Sequence, residues 1–211
     1  MTPDERILEI LKHQKNGDVD AARELLGQCG EDDPWHGVAL RMLGHFLYRE
    51  GLVEKSAEAL RHAGEHETGF VDAWYDLGVA LYHSGQMKDA RAAYERAIEI
   101  DHEYHAAHYR LGITLYHLGE LEAALAAFER TLLLTPEYAM AHYHMGVVLG
   151  RLGRFEEARQ RLEEYLEYHP WDAPTKYHLG MLSARFGDTE AAKRYLEGVP
   201  AFKAGIPVFP D

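Results

Sequence analysis

The chain has 211 residues, of which 46% are hydrophobic and 27% are charged, a composition that is typical of globular proteins and excludes collagen-like and wholly disordered chains. Its formal net charge of -13 at pH 7 disfavours a general nucleic-acid binder and a polybasic membrane-surface protein. The N-terminal residues lack the pattern of a signal peptide, no apolar run is long enough to span a membrane, and the chain has 1 cysteine, so we expect a cytoplasmic protein without a membrane partner.

Glycines recur along the chain every 34 residues. A first series comprises Gly17, Gly51, Gly85, Gly119, Gly153 and Gly187. A second series, seven residues upstream in each repeat, comprises Gly44, Gly78, Gly112, Gly146 and Gly180. Apolar residues recur at helical spacing before the turn glycines, as Trp74, Leu77 and Leu81 do before Gly85. Each repeat is therefore predicted to form two amphipathic helices joined by a turn.

The two glycine series predict different backbone roles. The first series lies at the turn, where glycine adopts the left-handed conformation without the steric cost that a Cβ adds. The second series lies within the first helix, where we expect close approach of the second helix to offset the poor helix propensity of glycine. Small residues are predicted to lie opposite it on the second helix, at Ala22, Ser56, Ala90, Ala124, Ala158 and Ala192. Prolines are predicted to end the second helix, at Pro34, Pro136 and Pro170.

One repeat shows the complete pattern. It has Trp74, Leu77, Gly78 and Leu81 in its first predicted helix, and Ala90, Tyr94 and Ala97 in its second. This pattern resembles the tetratricopeptide repeat. The resemblance covers nearly the whole chain and implies an all-α, right-handed superhelical solenoid of about six helix-turn-helix repeats. The implied units, within one solenoid domain over residues 1–200, are residues 3–36, 37–70, 71–104, 105–138, 139–172 and 173–200.

The repeat pattern stops at about residue 200. The segment that follows is rich in proline, with Pro200, Pro207 and Pro210, so the C-terminal tail over residues 201–211 is predicted to be non-helical. Two interpretations of the tail are open. It folds over the last repeat as an extended cap, or it enters the groove of its own or a neighbouring molecule as an intrinsic ligand.

The sequence has none of the common catalytic signatures, such as a Gly-x-Ser-x-Gly motif, a Walker loop or a His-Glu-x-x-His motif. We therefore predict no catalytic residue, no cofactor and no enzymatic activity. Among 14 histidines, several lie near repeat junctions or have helical spacing: His62, His66, His102, His105, His108, His142 and His144. We interpret them as solvated or hydrogen-bonded side chains and not as a metal site. Cys29 occupies an alanine position and is interpreted as a small packed residue.

The resemblance also implies that the first helices of the repeats line a concave groove. This groove would contain tyrosines at recurring positions together with arginines and histidines. The candidate peptide-binding residues are Arg41, His45, Tyr48, Arg49, Tyr75, Tyr82, His83, Tyr109, Arg110, Tyr116, His117, Tyr143, His144, Arg151, Tyr177, His178 and Arg185. Tyrosine is also usual at these positions in the family, so each tyrosine has an alternative role in scaffold packing.

The charge of this groove is opposite in sign to the charge of the whole chain. Its inward positions include five arginines and two acids, namely Arg41, Arg49, Arg110, Arg151, Arg185, Asp72 and Asp76. Arginine forks bind carboxylates, and tyrosine rings stack on aromatic or proline side chains. We therefore predict a non-catalytic protein–protein interaction scaffold that binds an acidic extended peptide or helix. The groove histidines would add positive charge around pH 6.

Other functions fit the sequence less well. The main alternative is a self-associating structural protein, a homo-oligomer that uses the groove, the end faces or the tail. A chaperone-type carboxylate clamp needs asparagines in the groove, and Asn16 is the only asparagine in the chain. RNA binding, which related helical-pair repeats perform, is disfavoured by the net charge of -13.

Overall fold

The computed structural model describes residues 3–16, 19–28, 36–66, 70–197 and 199 of the chain. Over these residues it contains twelve α-helices and no β-strand. In chain order they are α1 (Pro3–Asn16), α2 (Val19–Gly27), α3 (His36–Arg49), α4 (Val53–His66), α5 (Val71–His83), α6 (Met87–Ile100), α7 (His105–His117), α8 (Leu121–Leu134), α9 (Ala139–Arg151), α10 (Phe155–Tyr168), α11 (Ala173–Arg185) and α12 (Thr189–Leu196). The prediction of an all-α fold built from pairs of short helices is confirmed.

The chain divides into two compact units, residues 1–114 and 115–211, and the boundary lies within α7. We call them the N-terminal unit and the C-terminal unit. Odd-numbered helices are the first helices of the pairs, and even-numbered helices are the second. The predictions for Gly17, Cys29, Pro34 and the tail over residues 201–211 fall outside the described residues.

In the N-terminal unit each helix from α1 to α6 packs against the next, and α3 also packs against α5. The main core lies between α4, α5 and α6, where Leu60, Leu77 and Tyr94 are at most 2% exposed. Leu111 of α7 packs against the same cluster. A smaller core joins Ile10 of α1 to α2 and α3. Each helix thus buries one apolar face against its neighbours, which is the main source of its stability.

In the C-terminal unit each helix from α8 to α12 packs against the next. Phe128, Leu149, Leu162 and Leu179 are completely buried. These residues come from α8, α9, α10 and α11 in turn. Each of these helices therefore contributes a large apolar side chain to the core of the unit.

The turn glycines have a left-handed backbone, as predicted. The residues with φ between 76° and 81° are Gly51, Gly85, Gly119, Gly153 and Gly187. No residue other than glycine has a positive φ among those that the structure describes. Each of these glycines follows a first helix and allows the chain to reverse into the second helix without the strain that a Cβ would cause.

The glycines within the first helices lie against large side chains of the second helices. A Cβ built on Gly78 would lie 2.5 Å from the ring of Tyr94, and one built on Gly44 would lie 2.5 Å from Leu60. The predicted close approach is confirmed, but the nearest neighbour is this large residue and not the small residue four positions before it. The small residue Ser56 is completely buried, and its hydroxyl donates a hydrogen bond to the carbonyl of Gly44 over 2.7 Å.

The ends of two second helices lie where the prolines of the sequence predict them. Pro136 and Pro170 each lie two residues beyond the end of a second helix, as predicted. Asp172 is the N-cap of α11, and its carboxylate accepts hydrogen bonds from the backbone N–H and the hydroxyl of Thr175 over 2.9 and 2.6 Å. A side-chain cap of this kind stabilises a helix by about 1 kcal/mol.

We expect the Gly78→Ala variant to be less stable than the native chain by about 1 to 3 kcal/mol, because the added Cβ would overlap the Tyr94 ring. This cost must outweigh the helix propensity of alanine, which exceeds that of glycine by about 1 kcal/mol. Urea unfolding followed by circular dichroism measures the difference. Gly27→Ala is the matched control, because a Cβ at Gly27 would meet no atom within 4 Å. Equal stability of the two variants would contradict the close approach at Gly78.

Candidate functional site

The predicted groove residues lie on the first helices of both units. The N-terminal unit has a set that we call the N-terminal patch, comprising Arg41, His45, Tyr48, Arg49, Tyr75, Tyr82, His83, Tyr109 and Arg110. The C-terminal unit has a set that we call the C-terminal patch, comprising Tyr116, His117, Tyr143, His144, Arg151, Tyr177, His178 and Arg185. Helices α3, α5 and α7 provide the first set, and helices α7, α9 and α11 provide the second.

Arg41 is bound by two carboxylates of its own unit. Its Nε lies 2.6 Å from Oδ2 of Asp76, and its Nη1 lies 3.0 Å from Oδ2 of Asp72. Nε2 of His45 lies 2.9 Å from the same oxygen of Asp76, and the Tyr104 hydroxyl donates a hydrogen bond to Asp72 over 3.1 Å. The prediction that Arg41 presents a free guanidinium to a ligand therefore needs correction, because the two acids of α5 neutralise it.

Arg110 lies beside tyrosines. It is partly buried, and it lies beside the hydroxyl of Tyr75. The ring of Tyr75 contacts those of Tyr104 and Tyr94, with centroids 5.3 and 6.0 Å apart. Arg110 forms no ion pair with a carboxylate of the described residues. Its charge is therefore available to an external carboxylate.

Two tyrosines outside the predicted set contribute to this environment. Tyr104 precedes α7, and burial together with the nearby Asp72 charge raises the pKa of its hydroxyl. Tyr94 of α6 is completely buried, burial raises its pKa, and its hydroxyl makes no hydrogen bond with any described residue. At the same repeat position the other pairs have apolar residues, namely Leu26, Leu60, Phe128, Leu162 and Leu196. Packing of a helix pair therefore does not require the Tyr94 hydroxyl.

The remaining side chains of the N-terminal patch form an exposed edge. The ring of His83 contacts those of Tyr82 and Tyr48, with centroids 5.4 and 6.1 Å apart. His83 and Arg49 are exposed, whereas the two tyrosines are partly buried. Arg49 forms no ion pair with a described residue. This edge therefore offers one more unpaired guanidinium beside aromatic rings.

Both arginines of the C-terminal patch lie over aromatic rings. Cζ of Arg151 is 5.0 Å from the ring centroid of Tyr116, and Cζ of Arg185 is 4.4 Å from that of Phe155. Both arginines are exposed, and neither forms an ion pair with a carboxylate in the described part of the chain. Contact with a ring positions the guanidinium while its N–H groups stay available to a carboxylate. Phe155 lies on α10, so a prediction confined to the first helices missed it.

Tyr143 and His144 lie in the middle of the C-terminal patch. The ring of Tyr143 contacts that of Tyr165 with centroids 5.3 Å apart, and burial raises the pKa of the Tyr143 hydroxyl. The ring of His144 stacks on Phe128 with centroids 5.8 Å apart and an interplanar angle of 13°. Both residues are partly buried. Their contacts with core residues indicate that they help to pack the unit as well as line its surface.

Two predicted contact residues are buried. Tyr109 is 8% exposed and His178 is 7% exposed, so neither offers a substantial surface to a ligand, and their predicted role needs correction. Burial lowers the pKa of His178, although the Asp172 carboxylate opposes this shift. Protonation of His178 around pH 6 is therefore disfavoured, contrary to the prediction. His117 is exposed, and Tyr177 is partly buried.

Histidines at two repeat junctions bind backbone carbonyls. Nε2 of His108 lies 3.0 Å from the carbonyl oxygen of His102, and Nε2 of His142 lies 2.9 Å from that of Pro136. These contacts agree with the interpretation of hydrogen-bonded histidines. Among the described residues, no group of three or more His, Cys, Asp or Glu side chains is arranged to hold a metal ion.

We expect the burial of His178 to make the chain less stable as the pH falls. Its pKa in the folded chain lies below the ordinary value of about 6.5, so between these two values the unfolded chain binds more protons. The stability that this residue contributes is present above the unfolded-state pKa and is lost as the pH falls through the folded-state pKa. In the His178→Gln variant, the unfolding free energy from urea titrations should therefore depend less on pH between about pH 7 and about pH 5. The exposed His83→Gln variant is the control, and equal pH slopes for both variants would contradict this effect.

Three family models described as the tetratricopeptide repeat match the chain, over residues 71–104, 103–168 and 151–206. These matches point to a non-enzymatic scaffold, and none of them is to a catalytic family. No curated protein matches the chain significantly. None of the described helices combines the length and the apolar character that crossing a membrane requires.

Solved structures resemble the chain over most of its length. A crystal structure of MamA is 28% identical, covers 77% of this chain and 95% of its own, and has a TM-score of 0.69. YrrB, described as a TPR protein with an unusual peptide-binding site, is 22% identical, covers 76% of this chain and 83% of its own, and has a TM-score of 0.68. PilF of Pseudomonas aeruginosa is 20% identical, covers 91% of this chain and 87% of its own, and has a TM-score of 0.74. The family models and the shared fold agree, and the chain belongs to the tetratricopeptide repeat (TPR) family, an all-helical protein-interaction fold.

Proposed function

We propose that this TPR protein is a non-catalytic scaffold that binds an acidic extended segment or helix of another protein. The proposal rests on the absence of ion pairs, among the described residues, at four of the five patch arginines. Arg49, Arg110, Arg151 and Arg185 form no ion pair with the described residues, although the chain has 35 acidic residues against 22 basic ones. In an acidic protein, guanidinium groups that remain unpaired on the first helices are available to the carboxylates of a partner.

Several arginines on the second helices form ion pairs within their own helix, unlike Arg49, Arg110, Arg151 and Arg185. Nη1 of Arg96 lies 2.6 Å from Glu99, and Nη1 of Arg161 lies 2.8 Å from Glu164, each within a single helix. Such i,i+3 pairs satisfy the guanidinium locally and add little stability on an exposed surface. The contrast supports a binding role for the unpaired arginines of the first helices.

Aromatic neighbours restrict the conformations of three patch arginines before a ligand binds. Arg151 and Arg185 lie over rings, and Arg110 lies beside Tyr75. A guanidinium that already has a restricted conformation loses less entropy when it binds a carboxylate. The rings also present apolar surface to the aliphatic parts of a ligand. A ligand that is acidic and also carries aliphatic or aromatic side chains fits this combination best.

The proposal predicts that a fluorescein-labelled hexaglutamate peptide binds the native chain and that hexaglutamine does not. In Arg110→Glu and in Arg151→Glu we expect the affinity for hexaglutamate to fall about 10-fold or more, because each change removes a charge-assisted hydrogen bond and adds repulsion. Fluorescence anisotropy measures the dissociation constants at a constant salt concentration, and circular dichroism verifies that each variant is folded.

Arg61→Glu is the matched control for charge, because Arg61 is an exposed arginine of α4, outside both patches. It should bind hexaglutamate nearly as well as the native chain. If hexaglutamate and hexaglutamine bind equally, or if Arg61→Glu loses as much affinity as the patch variants, the proposed acidic ligand is wrong.

Self-association is a second candidate function, favoured by exposed apolar side chains of the C-terminal unit. Trp171 is 88% exposed and Leu133 is 71% exposed. Nζ of Lys176 lies 5.3 Å from the ring centroid of Trp171. Tryptophan is enriched among the residues that contribute most to protein–protein affinity, so an exposed indole indicates a contact surface.

If copies of the chain associate through this surface, Trp171→Ala should shift the population toward monomer, because the indole would contribute about 2 kcal/mol or more to the contact. Light scattering over a range of protein concentrations measures the mean mass. Leu8→Ala, at an exposed apolar residue of α1, is the control. A native chain that stays monomeric throughout, or a Trp171→Ala variant with unchanged mass, would exclude self-association through Trp171.

A further inference from the structure

A small cavity opens beside α3 and α5, within the N-terminal unit. Its lining residues are His45, Tyr48, Leu60, Asp76, Val79 and Ala80. Its volume is about 100 Å³, which equals the liquid volume of about three water molecules. The cavity therefore admits one slender side chain of a ligand.

Asp76 lines this cavity, and one of its two carboxylate oxygens has no donor among the described residues. The Asp76 side chain is 12% exposed, and its Oδ2 accepts a hydrogen bond from Arg41 and lies within hydrogen-bond distance of His45. Oδ1 receives no hydrogen bond from any residue that the structure describes. An apolar side chain that filled the cavity would displace water from beside the Asp76 carboxylate without supplying a donor, which is unfavourable. A ligand that supplies a donor at this point is therefore preferred.

The charge around the cavity is negative. Arg41 forms ion pairs with both Asp72 and Asp76, so one negative charge remains in excess when His45 is neutral. A ligand carboxylate would be repelled here, whereas a cation would balance the excess. The other walls, Leu60, Val79 and Ala80, are apolar and match a chain of methylene groups.

We propose that this cavity binds a lysine side chain of the protein ligand. The ammonium group donates a hydrogen bond to Oδ1 of Asp76. The methylene groups lie against Leu60, Val79 and Ala80. Arginine is a poorer match, because its planar guanidinium binds best to two acceptor oxygens, and Asp76 has only one that is free of donors. The assignment of a peptide as the ligand rests on the proposed function, but the preference of the cavity for a primary amine does not.

The lysine site adds specificity to a patch whose unpaired arginines select carboxylates. A ligand with acidic residues alone would satisfy Arg110 but would supply no donor to Oδ1 of Asp76. A ligand with a lysine among its acidic residues would satisfy both. We therefore infer a partner segment of mixed charge, with an acidic majority and a lysine that enters the cavity.

The experiment uses n-butylammonium as a probe, because it has the chain and the charge of a lysine side chain. Binding is followed in the full-length chain by NMR, from the methyl signals of Val79 and Ala80. We expect these signals to shift and to saturate with a millimolar dissociation constant. The neutral analogue 1-butanol should bind about 10-fold more weakly, because it lacks the charge-assisted hydrogen bond.

Three variants separate the cavity from general charge effects. Asp76→Asn should weaken n-butylammonium binding about 10-fold and abolish its advantage over 1-butanol. Val79→Leu keeps every charge but fills part of the cavity, so it should weaken binding of both probes. Asp89→Asn removes an exposed carboxylate of α6 and is the control for net charge, so it should bind like the native chain. Circular dichroism verifies that each variant is folded.

Equal binding of the two probes, or an Asp76→Asn variant that binds n-butylammonium like the native chain, would overturn the lysine site. Absence of any saturable shift at Val79 and Ala80 would overturn it as well. None of these results depends on hexaglutamate. If hexaglutamate binds through the arginines but n-butylammonium fails, the acidic ligand stands and the lysine site is wrong. If the reverse occurs, the lysine site stands and the acidic ligand is wrong.

Discussion

The contact between a glycine of the first helix and a large side chain of the second determines how closely the two helices of a pair approach. At Gly78 the bare backbone of α5 lies against the ring of Tyr94, and at Gly44 that of α3 lies against Leu60. The second contact also bears on binding, because Leu60 is at once the packing partner of Gly44 and an apolar wall of the cavity beside α3 and α5. The side chains that α3 and α5 present to a ligand therefore depend on these pair contacts.

Charge divides the N-terminal patch into two regions. The acids of α5 bind Arg41 on α3, and this region keeps an excess of one negative charge when His45 is neutral. Arg110 on α7 has tyrosine neighbours and no carboxylate partner among the described residues. A count of charges over the predicted groove treats every arginine as equivalent, but pairing removes Arg41 from those that can bind a ligand. The electrostatic character of the patch therefore follows from local pairs and not from its net charge.

The repeat, the helix pairs and the backbone of the turns could be predicted from the sequence, because each depends on local geometry that recurs with a constant period. The positive φ of Gly85 and the helix end before Pro136 are examples. The ion pairs of Arg41 could not be predicted, because they join residues 31 and 35 positions apart on neighbouring first helices and depend on side-chain conformation. The burial of His178 was missed for a similar reason. The equivalent His144 is partly buried, so repeat position alone does not determine exposure.

Two adjacent positions of the first helix differ in how uniform their residue types are across the repeats. One position has tyrosine in four successive repeats, Tyr75, Tyr109, Tyr143 and Tyr177. The next position varies in chemistry, with Met42, Asp76, Arg110, His144 and His178. Packing explains uniformity at the first position. At the second position Met42, His144 and His178 also take part in packing, whereas Asp76 and Arg110 carry charges that can serve binding. Asp76 and Arg110 are equivalent residues of opposite charge on α5 and α7. A ligand that places a lysine at Asp76 and a carboxylate at Arg110 can satisfy both in only one direction along the patch, so this pair of charges defines the polarity of the bound chain.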